Sequence, residues 1–244
     1  MREGFNSLKI KSNLEISAKI FEIRLQMEHK KEIKPGQFFM IKGWEATAPF
    51  LPRPLSVADV EDDCLTFLYE VKGQGTHLLS KLRVEDTLDV LGPLGNGFTL
   101  ESDKKIALIS GGIGIAPMFY LLKNLDAPVD FYAGFRSAVY WMDKIESRVN
   151  TLYVSTEDGS TGHKGFSIDQ FNPHNYDLVI TCGPVPMMKK VLELCEGIVS
   201  VQVSMESRMA CGIGACLGCT IETANGIKRV CKEGPVFKGK EVLL

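Results

Sequence analysis

The chain has 244 residues, 45% of them apolar and 24% charged, and a formal net charge of −2. These values describe an ordinary soluble globular protein of one large or two to three small domains, and they exclude a basic nucleic-acid binder. The opening Met1-Arg-Glu-Gly-Phe-Asn has no apolar run of signal-peptide type, and no stretch approaches the roughly 18 apolar residues of a membrane span, so the expected location is the cytoplasm.

Residues 1–98 read as strands. Ile16, Ala18 and Ile20 alternate with polar neighbours, and Phe21, Ile23 and Leu25 continue on the other parity, which predicts a bulge. Pro35-Gly36 turns the chain into Gln37-Phe-Phe-Met-Ile41, and further strands are predicted at 55–60, 65–71 and 87–91, with one short helix at 76–82. Short strands separated by turns predict an N-terminal antiparallel β-barrel. The rhythm changes over 99–203, where strands at 105–110, 129–133, 151–155, 178–182 and 199–203 alternate with helical runs at 117–125, 140–148 and 185–194. That alternation predicts a doubly wound parallel α/β sheet. Residues 204–244 form a small third module, so the fold class is multi-domain, β plus α/β.

Several short segments carry polar chemistry at predicted element ends. Arg53-Pro54-Leu55-Ser56 opens a strand; its arginine suits a phosphate and its serine the edge of a flavin ring. Gly75 and Thr76 open the short helix, and the two segments, about twenty residues apart in a barrel, fit two ends of one dinucleotide. Gly111-Gly112-Ile-Gly114-Ile-Ala-Pro117 follows the first strand of the sheet. It allows a tight turn into a helix N-terminus suited to a pyrophosphate, although a structural strand-to-helix turn would look similar. Cys182-Gly183-Pro184 ends a later strand of the same sheet, where ligands of open α/β sheets bind; Cys182 is a possible nicotinamide contact or a plain buried thiol. Glu157-Asp158-Gly159 reads as a polar loop that either faces a ribose or, the reading preferred, is solvated. His29, His77, His163 and His174 show no ligand spacing, and no residue presents itself as a catalytic acid or base.

Four of the seven cysteines, Cys211, Cys216, Cys219 and Cys231, read C-x4-C-x2-C-x11-C, with Gly212, Gly214 and Gly218 between the first three. Thiolates hold iron, and glycines let backbone N–H groups approach sulfur. The C-x4-C-x2-C spacing is that of plant-type [2Fe–2S] sites, with a Cys₄ zinc site as the alternative. An odd cysteine count without export argues against disulfides. Asn225-Gly226 between short β-prone runs predicts a hairpin that pairs Ala224 with Ile227 and Thr220 with Cys231, closing the long gap between the last two ligands. Cys64 and Cys195 read as core thiols.

Arg-Pro-Leu-Ser at 53–56, Gly-Thr at 75–76, the glycine turn at 111–117 and Cys-Gly-Pro at 182–184 together resemble the ferredoxin–NADP reductase superfamily. The segment Met209-Ala-Cys-Gly-Ile-Gly-Ala-Cys-Leu-Gly-Cys219 with Cys231, and Leu91-Gly-Pro-Leu-Gly-Asn-Gly-Phe98, resemble the electron-transfer subunits of two-subunit, NAD-linked dihydroorotate dehydrogenases. The resemblance implies an FAD-binding barrel (1–98), an NAD-binding α/β domain (99–203) and a [2Fe–2S] module (204–244). It implies FAD contacts at Arg53, Pro54, Leu55, Ser56, Leu68, Tyr69, Glu70, Gly75 and Thr76, with Glu70 standing where related subunits carry a basic residue. NAD(H) would be the substrate at Gly111, Gly112, Gly114, Pro117, Cys182, Gly183 and Pro184. An FMN-containing dihydroorotate dehydrogenase catalytic subunit is the implied partner, in a heterotetramer serving pyrimidine biosynthesis. Small flavin/iron–sulfur subunits of other ferredoxin- or hydrogenase-linked NAD(P) oxidoreductases share the same parts. With no arginine cluster after the second sheet strand beyond Arg136 itself, the reading is NADH rather than NADPH.

Overall fold

The computed structural model describes residues 4–27, 32–44 and 48–244; Met1, Arg2, Glu3 and His29 lie outside them. Six strands close an antiparallel barrel: β1 (Asn6–Ser17), β2 (Ile20–Gln26), β3 (Phe38–Lys42), β4 (Arg53–Glu61), β5 (Cys64–Glu70) and β6 (Thr87–Leu94), in the order β1-β2-β5-β4-β3-β6. Their inward side chains, among them Ile10, Ile23, Leu25, Ile41, Val57, Leu65 and Phe67, are fully buried and form one core. The parity change predicted as a bulge near residue 18 is mainly a hairpin turn: Ser17 pairs with Ile20 around Ala18 and Lys19, and Lys19 takes φ 63°. A bulge does occur just before it, between Glu15 and Ser17. The helix expected at 76–82 is α1 (Gln74–Leu79), which starts two residues earlier and is shorter.

The second layer system is a seven-stranded sheet. It contains β7 (Ile106–Gly111), β8 (Val129–Phe135), β9 (Thr151–Thr156), β10 (His163–Lys164), β11 (Leu178–Cys182), β12 (Ser200–Ser204) and β15 (Val236–Lys238), in the order β10-β9-β8-β7-β11-β12-β15. All neighbours are parallel except β12 and β15. Alternate residues of β7 serve the two faces. Ile106 and Leu108 pack with helix α2 (Ile115–Asn124), while Ala107 and Ile109 pack with helix α4 (Val185–Cys195). Burial on both faces is why these strands read as unbroken apolar runs. A short helix α3 (Met142–Glu146) follows β8. The strand order reverses between β7 and β11, the crevice where ligands of doubly wound sheets bind.

The barrel and sheet share an interface built on α2. Tyr120 donates to the Ile33 carbonyl at 2.9 Å, and Lys123 bridges Asp59 and Glu61 of β4 at 2.7 and 2.6 Å. Just before α3, the Trp141 indole N–H donates to Glu22 at 2.8 Å. The remaining segment carries the hairpin β13 (Thr220–Thr223) and β14 (Gly226–Arg229) and then returns to the sheet as β15. The hairpin register differs from the predicted one by two residues: Thr223 pairs with Gly226 and Thr220 with Arg229. Only Gly226 needs a left-handed backbone, at φ 90°, so the turn runs through Ala224-Asn225 and Gly226 follows it. The Thr223 hydroxyl accepts from the Asn225 amide and donates to the Gly226 carbonyl, which fixes that choice.

Candidate functional site

A cleft of about 200 Å³ stands where barrel, sheet and C-terminal segment meet. Because Val57 pairs with Phe67, residues 53–56 at the start of β4 run beside 68–70 at the end of β5. Pro54, Leu55, Ser56, Leu68, Tyr69, Glu70 and Thr76 all line the cleft. Arg53 stands next to it. Its guanidinium donates to the Leu51 carbonyl and lies over the Trp44 ring at 5.5 Å. A Cβ on Gly75 would come within 2.6 Å of that guanidinium, so Gly75 leaves the space Arg53 occupies. The two segments expected to bind one dinucleotide are therefore in contact.

Within this group the side chains divide their work. The Tyr69 hydroxyl donates to Asn13 at 2.9 Å, and its ring stacks on Phe21 inside the barrel; burial pushes its pKa up. The Thr76 hydroxyl accepts from the Lys72 and Gly73 amides, closing the turn into α1. Glu70, an acid on the wall of the cleft, forms an ion pair with Lys72 at 2.8 Å. Lys72 itself lines the cleft, so the charge of Glu70 is balanced there.

The glycine turn and the Cys-Gly-Pro segment form a second, adjoining cradle. Parallel pairing of β7 with β11 brings Ser110 opposite Cys182. A Cβ on Gly114 would run into the Cys182 carbonyl, and one on Gly111 would come within 2.7 Å of Pro184. Gly183 adopts φ 156° with its Cα side against the Gly111 backbone. Gly112, at φ 53°, faces open space, as a ligand-facing glycine requires. Pro117 is the third residue of α2 and is buried. Cys182 is also buried, and burial raises its pKa, so it is a neutral thiol rather than a nucleophile. Glu157, Asp158 and Arg136 are exposed at the carboxyl ends of β9 and β8, where the Asp158 amide donates to the Arg136 carbonyl at 3.3 Å.

Ile113 and Ala116 of that turn reach into the cleft, and so do Met205, Glu206, Ser207, Met209 and Pro235. Of these, Met205, Glu206, Ser207 and Pro235 lie outside every motif read in the sequence; Glu206-Ser207, a polar pair just before the cysteine loop, was the available signal. Surrounding protein crowds the Glu206 carboxyl even though it faces the cleft. Desolvation raises its pKa, with Lys72 opposing the rise and Glu70 adding to it.

The four motif cysteines stand as two pairs. The Cys216 amide donates to Cys211 Sγ and the Cys231 amide to Cys219 Sγ, each at 3.4 Å; the Gly218 amide donates to Cys216 Sγ at 3.4 Å. Gly212 and Gly214 take φ 73° and 82°, and Leu217 is held at φ 59°, wrapping the loop so that its amides point inward. Burial opposes ionisation of Cys211, but the amides of Cys216, Ile213 and Ala215 prevail and bring its pKa down to about 6. Burial, reinforced by Cys219, pushes Cys231 up to about 12. Among the described residues no three Cys, His, Asp or Glu side chains gather about one ion-sized point. Two thiol pairs with inward amides fit a binuclear iron–sulfide group, whose sulfurs accept such N–H bonds. A Cβ on Gly212 would strike Met40 of β3 at 2.5 Å, so this loop sits against the barrel, two residues beyond Met209 of the cleft.

Comparison with known proteins agrees with this assembly. Residues 206–243 match the family described as the iron-sulfur cluster binding domain of dihydroorotate dehydrogenase B. The chain is 47% identical to the dihydroorotate dehydrogenase B (NAD(+)) electron transfer subunit of Clostridium acetobutylicum, over 100% of this chain and 99% of that one. It is 46% identical to the Clostridium perfringens subunit, over 96% of each. A solved chain of the NADH-dependent reduced ferredoxin-NADP oxidoreductase superposes with TM-score 0.86 at 29% identity, covering 99% of this chain and 91% of that one. A ferredoxin NADP+ reductase from Neisseria gonorrhoeae with bound FAD and NADP shares the fold, with TM-score 0.66 at 18% identity over 82% of this chain and 93% of that one. The chain belongs to the family of dihydroorotate dehydrogenase B (NAD(+)) electron transfer subunits.

Proposed function

We propose that this chain passes electrons from a dihydroorotate dehydrogenase catalytic subunit through a [2Fe–2S] cluster and FAD to NAD+, in pyrimidine biosynthesis. The observation that carries this reading is the shared cleft. One cavity is lined by the barrel segment 54–56, by Ile113 and Ala116 of the nucleotide turn, and by Met205, Glu206, Ser207 and Met209 on the way to Cys211. Bound there, a flavin supplies the exchange between one-electron and two-electron carriers that neither an iron–sulfur cluster nor a nicotinamide can make alone.

The residues assign themselves as follows. Arg53 supplies a fixed charge for the dinucleotide phosphates, Ser56 and the 54–55 and 68–70 backbones border the isoalloxazine, and Gly75 keeps Arg53 in place. Thr76 holds the turn, and the Glu70–Lys72 pair presents a lysine toward the same cleft. Gly111, Gly112, Gly114 and the start of α2 with Pro117 receive the NAD pyrophosphate. Cys182, Gly183 and Pro184 form the wall against which the nicotinamide lies. Cys211, Cys216, Cys219 and Cys231 would supply the four thiolates that hold the cluster. Segments 1–98, 99–203 and 204–244 are the working units, the last lending β15 to the sheet of the second.

The partner would carry FMN, as the acceptor of the electrons of dihydroorotate, and the base that takes its proton, and two of each subunit would assemble in the cytoplasm. Among the described residues no helix is long and apolar enough to cross a membrane. The test is dihydroorotate-dependent NAD+ reduction by the chain with and without the catalytic subunit. The complex should reduce NAD+, and the isolated chain should leave dihydroorotate untouched; turnover of dihydroorotate by the isolated chain would overturn the division of labour.

A further inference from the structure

The span between Cys211 and Cys216 contains two left-handed glycines and, at Gly218, a third flexible residue follows the second ligand, so side-chain packing within the loop does little to hold its shape. Arg229 ties it down from outside. Its Nη1 donates to the Gly214 carbonyl at 2.9 Å, inside that span. The guanidinium is in turn gripped by Glu233, which accepts from Nε at 3.0 Å, from Nη2, and from the Arg229 amide at 2.7 Å. A bidentate carboxylate fixes the plane of an arginine fork in a way a single contact does not.

The backbone of Arg229 reaches the other ligands. It pairs with Thr220, the neighbour of Cys219, and its carbonyl accepts from the amides of Lys232, Glu233 and Gly234. That tight turn carries Cys231. One residue thus connects all parts of the ligand set. Its side chain is only 28% exposed, and that of Glu233 27%, so the cation is partly shielded from solvent. Glu233 makes no hydrogen bond to the 211–219 loop; Arg229 does.

We propose that Arg229, locked by Glu233, is the positioning residue of the iron–sulfur loop, and that its fixed charge raises the reduction potential of the group the four thiols hold. The inference deepens the electron-transfer reading and rests on Cys211, Cys216, Cys219 and Cys231 being cluster ligands. Four thiolates make such a group anionic, and an added electron makes it more so. A nearby cation therefore favours the reduced form, and net charge and hydrogen bonding are the levers that set such potentials. Glu233 tempers the effect: removing it leaves the cation uncompensated.

The test uses the full chain, reconstituted with iron and sulfide, in redox titrations followed by EPR. Wild type, Arg229→Gln, Arg229→Lys and Glu233→Gln are compared. Arg229→Gln, which keeps a donor but loses the charge, is expected to reduce the equilibrium constant for cluster reduction about tenfold, about 59 mV lower for a one-electron couple. Arg229→Lys keeps the charge and should stay within about threefold of wild type, while losing iron faster to a chelator because the fork is gone. Glu233→Gln should move the potential in the opposite direction to Arg229→Gln. Wild-type potentials in both Arg229→Gln and Glu233→Gln, or shifts of the same sign, would overturn the proposal. Should Arg229→Gln fail to take up iron, Glu233→Gln decides alone: a potential that does not rise overturns it. A wild-type chain that never acquires iron would instead remove the cluster reading, and this inference with it.

Discussion

The cluster loop and the flavin cleft are built on opposite principles. All four thiols lie within 21 positions of one another, and their geometry comes from local turns: two left-handed glycines, a hairpin and three N–H···S bonds. The cleft gathers residues from 38 to 235 through strand pairing and interdomain packing. A site made of local turns announces itself in spacing; a site made of long-range register does not. The two regions should also fail differently when altered.

The largest expected effect is at the loop. Cys219→Ser removes a buried thiol of the proposed ligand set and should lower bound iron to less than about a tenth of wild type, because metal binding supplies the order of such loops. Flavin content should remain near wild type. Iron and flavin counts on one sample check this, and parallel loss of flavin would show that the two regions form one cooperative unit. Next comes Arg53→Ala, which deletes the charge packed over Gly75. FAD affinity should weaken about tenfold or more, in line with a charge-assisted contact of roughly 1.5–3 kcal/mol, while iron content holds. Quenching of flavin fluorescence on titration measures it.

A smaller effect is expected from Gly114→Ala. The new methyl meets the Cys182 carbonyl, a backbone atom that cannot step aside cheaply. Overpacking of this kind costs roughly 1–3 kcal/mol. The KM for NAD(H) should rise and thermal stability fall, with iron and flavin unchanged. The smallest is Lys72→Met: its ion pair with Glu70 is largely exposed at the lysine, 69%. Such pairs contribute about 0–1 kcal/mol, so FAD affinity should fall by no more than about fivefold. A larger loss would promote Lys72 to a principal phosphate ligand.

The same contrast explains what could be read in advance. The β-to-α/β change of rhythm near residue 99 and the strands at 178–182 and 129–133, the latter extending to Phe135, were visible because each is a run of one periodicity. The pairing of the Gly111 turn with Cys182-Gly183-Pro184 was not, since nothing local says that β7 and β11 are neighbours. Met205, Glu206, Ser207 and Met209 were missed because a cleft wall needs only to face the ligand, which leaves no periodic trace. The hairpin register was missed by two residues because Asn-Gly permits two turns, and the Thr223 hydroxyl, bonded to the Asn225 amide and the Gly226 carbonyl, selects the one that runs through Ala224-Asn225. The β15 strand, three residues long, carries too little pattern to be seen before its partner β12 is known.

The most direct measurement is an anaerobic titration of the purified, reconstituted chain with NADH, followed by visible absorption and EPR alongside iron, sulfide and flavin counts. Binding of about two irons and one FAD per chain is expected. NADH should bleach the flavin band, and an EPR signal from the reduced iron–sulfur centre should appear as the titration proceeds. A colourless chain holding zinc, or a flavin that NADH reduces while the iron centre stays oxidised at every ratio even though its measured potential lies above that of the flavin, would contradict electron exchange between the cleft and the cysteine loop.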